Sequence, residues 1–250
     1  MKLALLSDIH ANLRALHACL AHAQEAGATH HAVLGDLTGY GAEPAQVVDA
    51  VMHLAARGAV VLGGNHDALA VQPPAQPQTH GDLSAAWTHG QLDATQRAFL
   101  AGLPLHAQLG SAWLVHASAD APANWHYVDN PHRAQRSLAA ACAHPGVSHV
   151  FCGHVHHQRL YYQGAARALM EFMPTPGVAI PVPAHRQWLA TVGSVGQPRD
   201  GDTRAMYALF DATQARLVFQ RVAYDHRAAA QAVRHTAQPE WFAQRLEEGR

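Results

Sequence analysis

Histidine, aspartate and asparagine residues recur in five short motifs that are far apart in the chain. These are Asp8-Ile9-His10, Gly35-Asp36, Gly64-Asn65-His66-Asp67, a lone His116 and Gly153-His154-Val155-His156. Together the motifs offer carboxylate, amide and imidazole groups but no thiolate. Such donors suit Mn²⁺, Fe, Zn²⁺, Ni²⁺ or Co²⁺, and they disfavour an iron–sulfur cluster or a cysteine-rich zinc site.

The number of candidate ligands exceeds what one tetrahedral ion needs. The seven candidates are Asp8, His10, Asp36, Asn65, His116, His154 and His156. Two metals about 3.5–4 Å apart and sharing a carboxylate would use such a set, and this arrangement serves in-line displacement at phosphorus. Each motif alone has a simpler interpretation as a turn, a cap or a structural histidine. The chain has 21 histidines, so most of them are expected to be structural or on the surface.

The elements that must position these motifs follow from the apolar pattern. Residues 3–7, 31–34 and 59–62 are predicted strands, and helical patterns begin at Asn12 and Pro44. This alternation favours a parallel sheet with helices packed on it. Ligands bind at the carboxyl ends of the strands in such a sheet. We therefore expect the motifs to converge at one edge.

The remaining predicted elements include helices, loops and, in the C-terminal half, strands that resemble antiparallel ones. Residues 82–103 form two predicted helices, and residues 71–80 and 174–183 are predicted loops. Further helices are predicted to start at Asn130-Pro131, Asp225 and Pro239. Further predicted strands, the last five resembling antiparallel strands, are residues 113–116, 147–152, 160–162, 168–173, 187–192, 206–210 and 217–222. His154 and His156, two residues apart, are expected on one side of an extended segment.

Composition narrows the classes of partner and compartment. Of the 250 residues 49% are hydrophobic and 14% charged, and the net charge is −1. This balance excludes a disordered chain and disfavours long nucleic acids and membrane surfaces as partners. Three cysteines, Cys19, Cys142 and Cys152, form no CxxC pair, and no apolar run reaches the ~18 residues of a membrane span. We expect one domain over residues 1–250, in the cytoplasm.

In this order the motifs resemble the calcineurin-like metallophosphoesterase family. The segment GSVGQPR at residues 193–199 is also similar to the small bacterial phosphodiesterases of that family, and the resemblance covers residues 3 to about 211. It implies an α/β fold, specifically a four-layer αββα sandwich of two mixed β-sheets flanked by helices. It also implies two divalent or trivalent metal ions, with Mn or Fe favoured.

The resemblance assigns roles to the candidate ligands. One metal would bind Asp8, His10 and His156, the second would bind Asn65, His116 and His154, and Asp36 would bridge them. A hydroxide would be the second bridge and the nucleophile.

His66 has a separate expected role. The resemblance implies that it faces the phosphate and assists the leaving oxygen rather than binding metal. We expect residues 65–67 to form an extended turn, in which Asn65 and His66 point different ways. Asp67 is expected to hold the other ring nitrogen of His66 and to raise its pKa.

Two departures from the family pattern bear on the substrate. Its protein Ser/Thr phosphatases and symmetrical dinucleoside-polyphosphate hydrolases carry an arginine shortly after the second aspartate, where this chain has LTGYG at residues 37–41. The Ser/Thr phosphatases also have an arginine before Gly-Asn-His, where Leu62 and Gly63 stand here. Such arginines clamp a doubly charged phosphate. Their absence predicts small phosphodiesters, with cyclic nucleotides among the candidates.

Two alternatives stay open. One is a phosphomonoesterase or nucleotide pyrophosphohydrolase on the same site. The other is a non-catalytic interaction protein like the retromer subunit of this fold, which the intact ligand set disfavours. A homo-oligomer also stays open.

Four residues are candidates for substrate contacts. Trp125 and Tyr127 would stack on a nucleobase or anchor their loop, and Arg199 would neutralise phosphate or lie on the surface. Asn12 would contact the phosphate or cap the following helix, and capping is the better interpretation.

Overall fold

Short strands and helices alternate through the chain in the computed structural model, which describes residues 1–163 and 169–250. The strands are β1 Lys2–Leu6, β2 His30–Val33, β3 Val60–Val61, β4 His106–Leu109, β5 Ala112–Val115, β6 His149–Cys152, β7 Gln158–Gln163, β8 Leu169–Phe172, β9 Ala179–Pro181, β10 Trp188–Val192, β11 Ala205–Asp211 and β12 Arg216–Val222. The helices are α1 Leu13–Glu25, α2 Pro44–Ala56, α3 Asn65–Val71, α4 His80–Gln91, α5 Ala94–Ala101, α6 Pro131–Cys142, α7 His226–Arg234 and α8 Glu240–Glu248, with a 3₁₀ turn at Pro122–Asn124.

The strands form two mixed six-stranded sheets. The first has the order β3-β2-β1-β11-β12-β9, in which β1, β2 and β3 are parallel and the other pairs antiparallel. The second has the order β4-β5-β6-β10-β7-β8, in which β5, β6 and β10 are parallel. Each sheet therefore has a block of three parallel strands, at one edge of the first sheet and inside the second, with antiparallel strands beside it.

The two sheets pack face to face, with helices on the outside. Alternation along β1 places Leu3 and Leu5 in the core between the sheets, together with Phe151 of the second sheet. Ala4 and Leu6 point the other way, into the core formed with α1 and α2. Helix α6 covers the outer face of the second sheet. The result is the expected four-layer αββα sandwich, in which each layer buries its apolar side.

The C-terminal helices form a separate hydrophobic cluster. Helices α7 and α8 pack against each other, and Tyr40 packs on this cluster. The rings of Tyr40 and Phe242, on α8, lie 4.6 Å apart between centroids. This contact places α8 beside the loop that follows β2.

Several elements differ from the predicted ones. Residues 65–67 begin helix α3 rather than an extended turn, because Asp67 accepts the backbone N–H of Gly64 at 3.0 Å and so caps the first turn. Strand β9 lies within the predicted loop at 174–183, and β4 was not predicted. Both are short edge strands defined by pairing with distant residues. Of the strand predicted at 168–173, Ala168 lies outside the described residues.

Two further observations concern the whole described chain. Cys19, Cys142 and Cys152 are free thiols. Among residues 1–163 and 169–250, no helix combines the length and the apolar character needed to cross a bilayer.

Candidate metal centre

The seven predicted ligands follow the carboxyl ends of five strands. In the first sheet, Asp8 and His10 follow β1, Asp36 follows β2, and Asn65 begins α3 after β3. In the second sheet, His116 follows β5, and His154 and His156 follow β6. The two sheets are tied together here, because the N–H groups of Val195 and Gly196, after β10, donate to Ser7 O and Asp8 O, after β1, each at 2.9 Å. Six of the seven side chains are buried, and Asn65 is partly buried.

One group of donors contains Asp8, His10 and His156. The Nε2 atoms of His10 and His156 are 3.1 Å apart. Asp8 Oδ1 lies 3.3 Å from Nε2 of His156 and 3.9 Å from Nε2 of His10. All three atoms therefore surround one small space.

A second group contains Asp36, His116 and His154, whose donor atoms lie within 4.8 Å of one another. Nε2 of His116 is 3.3 Å from Asp36 Oδ2 and 3.2 Å from Asn65 Oδ1. Asp36 Oδ2 is also 3.8 Å from Nε2 of His10, in the first group. This carboxylate oxygen therefore lies between the two groups, as a bridging ligand must.

Backbone carbonyl groups orient three of the histidine rings. Nδ1 of His10, His116 and His156 lies 3.0, 2.8 and 2.6 Å from a main-chain oxygen, respectively. A carbonyl only accepts hydrogen bonds, so Nδ1 carries the proton, and in the neutral ring Nε2 presents a lone pair to the site.

The donor atoms that lack a hydrogen-bond partner indicate whether a metal ion fits this site. Nε2 of His10 and Nε2 of His156 both carry a lone pair when the rings are neutral, so neither can donate a hydrogen bond to the other. Asp8 Oδ1 and His154 Nε2 are buried without a hydrogen-bond partner. Buried polar atoms without partners are costly. Because all of these atoms are electron-pair donors, a cation fits the site.

The other carboxylate oxygens are held by the main chain. The N–H of His154 donates to Asp8 Oδ2 at 2.9 Å, and the N–H of His66 donates to Asp36 Oδ1 at 2.8 Å. Each aspartate thus has one oxygen fixed and one facing the histidines.

The backbone around the ligands is left-handed. The φ angles of Asp8, His10, Asp36, His154 and His156 are 54°, 47°, 52°, 67° and 58°. Such conformations cost about 1–3 kcal/mol each and concentrate at functional sites. The expectation of an extended segment at His154 and His156 is therefore wrong. The turn sends the two imidazoles into different ligand groups.

Two glycines allow the loops to approach each other. A Cβ on Gly153 would overlap the side chains of Ser7 and Asp8, and one on Gly64 would overlap Asp36. The glycines of two motifs are thus required by the close packing around the aspartates.

The electrostatics of the site depend on burial and on the histidine–aspartate pairs. Burial is the main cause that lowers the pKa of His10 and of His156, and it lowers that of His154 to about 4. Burial would lower that of His116 too, but Asp36 and Asp8 raise its pKa to about 9. Three of the four histidines are therefore neutral near pH 7, and His116 is protonated.

The two aspartates remain ionised despite burial. Burial alone would raise the pKa of each, but neighbouring histidines outweigh it and lower the pKa: chiefly His156 for Asp8, and His116 with His66 for Asp36.

The partners of His66 differ from the expected ones. Its Nε2 lies 2.7 Å from the Tyr40 hydroxyl, and its Nδ1 has no hydrogen-bond partner. Asp67 does not reach the ring, because its carboxylate accepts from the N–H and hydroxyl of Thr38 and from the N–H of Gly64. Burial lowers the pKa of His66. The expectation that Asp67 raises this pKa is wrong.

Two of the predicted substrate contacts lie beside the ligand histidines, whereas Asn12 has another role. Tyr127 is 50% exposed and stacks on His154 with centroids 4.1 Å apart, and Trp125 meets His116 edge-on at 5.8 Å. Asn12 instead caps α1 by accepting from the N–H of Ala15. Its amide donates to Gly196 O and to the Tyr224 hydroxyl, so its polar atoms are already used and capping is its observed role.

Sequence reasoning missed two residues near this site. Tyr40 contacts His66 and packs against His10 with ring centroids 4.4 Å apart. Its position in the loop after Asp36 was a usable signal. Arg245, on α8, shares a hydrogen-bond acceptor with Arg199. No local motif marks Arg245, because only the tertiary contact of α8 brings it here.

Comparison with known proteins agrees with this geometry. The model of the calcineurin-like phosphoesterase superfamily domain matches residues 1–215. An uncharacterized protein of Methanocaldococcus jannaschii is 29% identical over 255 residues, 99% of this chain and 98% of that protein. The crystal structure of a metallophosphoesterase from Sphaerobacter thermophilus is 31% identical with a TM-score of 0.88, covering 100% of this chain and 99% of that one. A hypothetical protein from Pyrococcus horikoshii OT3 shares the fold at 19% identity, with a TM-score of 0.79 and 100% and 98% of the chains covered.

The fold and the paired donor groups define a metallophosphoesterase. The chain belongs to the calcineurin-like phosphoesterase superfamily, which confirms the resemblance seen in the motifs. This family is metal-dependent, and the structure has two candidate ligand groups for the metals.

Metal loading is expected to release the proton of His116. Because the pKa of this imidazole is raised to about 9, it is protonated at pH 7.5 and must become neutral to bind a metal. The apparent metal affinity should therefore rise with pH up to about 9. Calorimetry in buffers of different ionisation enthalpy should show that His116→Gln releases one proton fewer per chain than the wild type. Equal proton release would contradict this account.

Gly153→Ala should lose metal and stability together. The new Cβ overlaps Ser7 and Asp8, and overpacking of this kind costs about 1–3 kcal/mol. Thermal melting and elemental analysis measure both effects. The control is Gly90→Ala in α4, where a Cβ meets nothing within 4 Å; it should keep its metal and be no less stable than the wild type. If Gly153→Ala retained its full metal content, the close packing of residue 153 against Ser7 and Asp8 would not be needed for metal binding.

Proposed function

We propose that this protein is a dinuclear metal-dependent phosphodiesterase that hydrolyses small phosphodiesters. The observation that supports this most directly is the position of Asp36 Oδ2, which is 3.3 Å from His116 Nε2 and 3.8 Å from His10 Nε2. One carboxylate oxygen is thus available to both ligand groups. Metals held this way suit in-line displacement at phosphorus.

The proposed ligands are the two groups described above, with Asn65 added to the second and Asp36 shared. When bound, the metals would supply Lewis acidity at the phosphoryl oxygens and hydroxide at neutral pH. Among the metals that oxygen and imidazole donors suit, manganese and iron are our preferred candidates.

The chain's own residues would orient the ester. Tyr127, stacked on His154, and Trp125, edge-on to His116, present aromatic surface beside the second ligand group. An aromatic arm of the substrate, such as a nucleobase, would stack there. His66 adjoins His10 with ring centroids 5.1 Å apart, which puts it within reach of a leaving oxygen. A bound anionic phosphate would oppose the effect of burial on the pKa of His66, since a nearby negative charge favours the imidazolium.

The preference for a diester rests on the charge near Asp36. Residues 37–41 carry no arginine, so the loop after Asp36 offers no guanidinium to a doubly charged phosphate. A phosphomonoesterase or nucleotide pyrophosphohydrolase is the second candidate. The observation that favours it is Arg199, whose guanidinium carbon lies 5.8 Å from the centre of the Tyr40 ring.

The expected partners and compartment belong to the same proposal. The net charge of −1 supports a small substrate rather than long nucleic acid or a membrane surface. The three free thiols support a reducing, cytoplasmic compartment. A homo-oligomer remains compatible with the proposal.

The function is tested by metal removal and by Asp36→Asn. Chelation should abolish hydrolysis of bis(p-nitrophenyl) phosphate, and Mn²⁺ should restore it. Asp36→Asn should bind less of both metals and lose at least a hundredfold in kcat, because the shared negative charge is gone. The matched control is Asp49→Asn, an exposed aspartate on α2, which should behave as wild type.

The same assay decides between the substrate classes. The diester should exceed p-nitrophenyl phosphate by at least tenfold in kcat/KM, about 1.4 kcal/mol of transition-state stabilisation. A preference for the monoester would favour the second candidate. Full activity of Asp36→Asn with unchanged metal would rule out the shared carboxylate.

His66→Ala should impair departure of the leaving group without removing metal. General acid catalysis contributes typically ~10²–10⁴ in rate, so kcat should fall at least a hundredfold for alkyl esters and less for esters of acidic phenols. Tyr40→Phe removes only the hydroxyl that holds the His66 ring, so we expect a smaller loss, about tenfold, with metal retained. If His66→Ala instead loses metal, and leaving-group acidity has no influence, the residue only braces its loop.

A further inference from the structure

Two arginines from distant parts of the chain meet at one amide oxygen. Nη2 of Arg199 and Nη1 of Arg245 lie 3.0 and 3.3 Å from Oε1 of Gln197. Gln197 is buried, and its main-chain oxygen accepts the hydrogen bond from Nδ1 of His156. The pair is therefore tied to the first ligand group through one buried residue.

Neither guanidinium has a carboxylate partner within the described part of the chain. Nearby arginines do: Arg221 pairs with Asp200, and Arg234 pairs with Glu247. Arg245 instead stacks over Trp241, 4.1 Å from the ring centre. Burial, followed by the charge of Arg199, lowers the pKa of Arg245 to about 10. Two like charges thus lie together with only a neutral amide between them, an arrangement that an anion would stabilise.

The pair adjoins the candidate metal centre without being part of it. Tyr40 is the common neighbour, because its ring lies 5.8 Å from the Arg199 guanidinium carbon and its hydroxyl lies 2.7 Å from His66 Nε2. Neither arginine forms an ion pair with Asp8 or Asp36 within the described residues. Because Tyr40 and Gln197 each contact both an arginine and a histidine of the site, an anion on the arginines would lie beside the group held by the metals.

The second arginine comes from a part of the chain outside the family model. That model ends at residue 215, whereas α8 spans Glu240–Glu248. The contact of Phe242 with Tyr40, 4.6 Å between ring centroids, docks α8 onto the loop after Asp36. The C-terminal helices thus add a cationic group to the ligand sets that the family motifs supply.

We propose that Arg199 and Arg245 form a subsite for a second phosphate, so that the substrate is a phosphodiester with a phosphate group on one of its arms. Guanidinium groups bind phosphate oxygens through paired N–H donors, which gives geometric selectivity as well as charge. The inference rests on the proposed function for the identity of the scissile bond. The anion subsite itself can be measured without turnover.

The test compares two chromogenic diesters that differ by one phosphate. Thymidine 5′-(p-nitrophenyl phosphate) and its 3′-phosphorylated form release the same phenol from the same ester. The wild type should favour the phosphorylated form by at least tenfold in kcat/KM. Arg245→Ala should remove that preference while changing kcat/KM for the other diester by less than twofold, and Arg245→Lys should keep part of the preference. Arg250→Ala, an exposed arginine at the end of the same segment, is the matched control.

A binding measurement separates this inference from the proposed function. Calorimetry with thymidine 3′,5′-bisphosphate and thymidine 5′-monophosphate should show at least tenfold tighter binding of the bisphosphate to the wild type and not to Arg245→Ala, with unchanged melting temperatures. If neither diester is hydrolysed but the wild type still binds the bisphosphate more tightly, the proposed function is wrong and the proposed subsite is supported. If diesters are hydrolysed without discrimination, the subsite fails. Equal losses on both diesters in Arg245→Ala would place the arginines on the scissile phosphate and overturn the inference.

Discussion

Hydrogen bonds from histidine Nδ1 atoms to backbone carbonyl groups are the constraint on which the site depends. Each bond fixes both the proton position and the ring direction, so that Nε2 faces the aspartates. The carbonyls belong to Leu34, Thr38 and Gln197, which lie in other loops than the histidines they orient. The ring directions are therefore set by how the loops and the two sheets meet. A shift between the sheets would turn the lone pairs away from the site.

Burial makes this arrangement costly for the fold. Asp8 and Asp36 are 0% and 1% exposed, and charged groups in such surroundings need partners. Main-chain N–H groups satisfy one oxygen of each, and the other oxygen faces imidazoles. The left-handed conformations of five ligand residues add strain to this cost. The apolar core between the sheets and the helix layers outside them offset it, because they hold the strand ends in place whatever the loops prefer.

The C-terminal helices have a different relation to the site. They contribute none of the candidate metal ligands, yet Phe242 packs on Tyr40 and Arg245 joins Arg199. The segments at the strand ends thus carry the candidate metal ligands, while α8 contributes neighbouring groups.

The residue types indicated a set of candidate oxygen and imidazole ligands, and the apolar pattern indicated an α/β chain with the main strands in this order, whereas the four-layer class came from the resemblance to the family. Strand ends in a parallel sheet converge at one edge, so motifs far apart in the chain could be assigned to one site. Local sequence does not encode the direction of a side chain that leaves a strained loop. It therefore missed the left-handed turn at His154 and His156, the contact of Tyr40 rather than Asp67 with His66, and the helix that starts at residues 65–67. The separation of the two imidazoles into different ligand groups followed from the family resemblance and not from the local pattern. Arg245 carries no local signal at all, because its position beside Arg199 exists only once α8 has packed on the loop after Asp36.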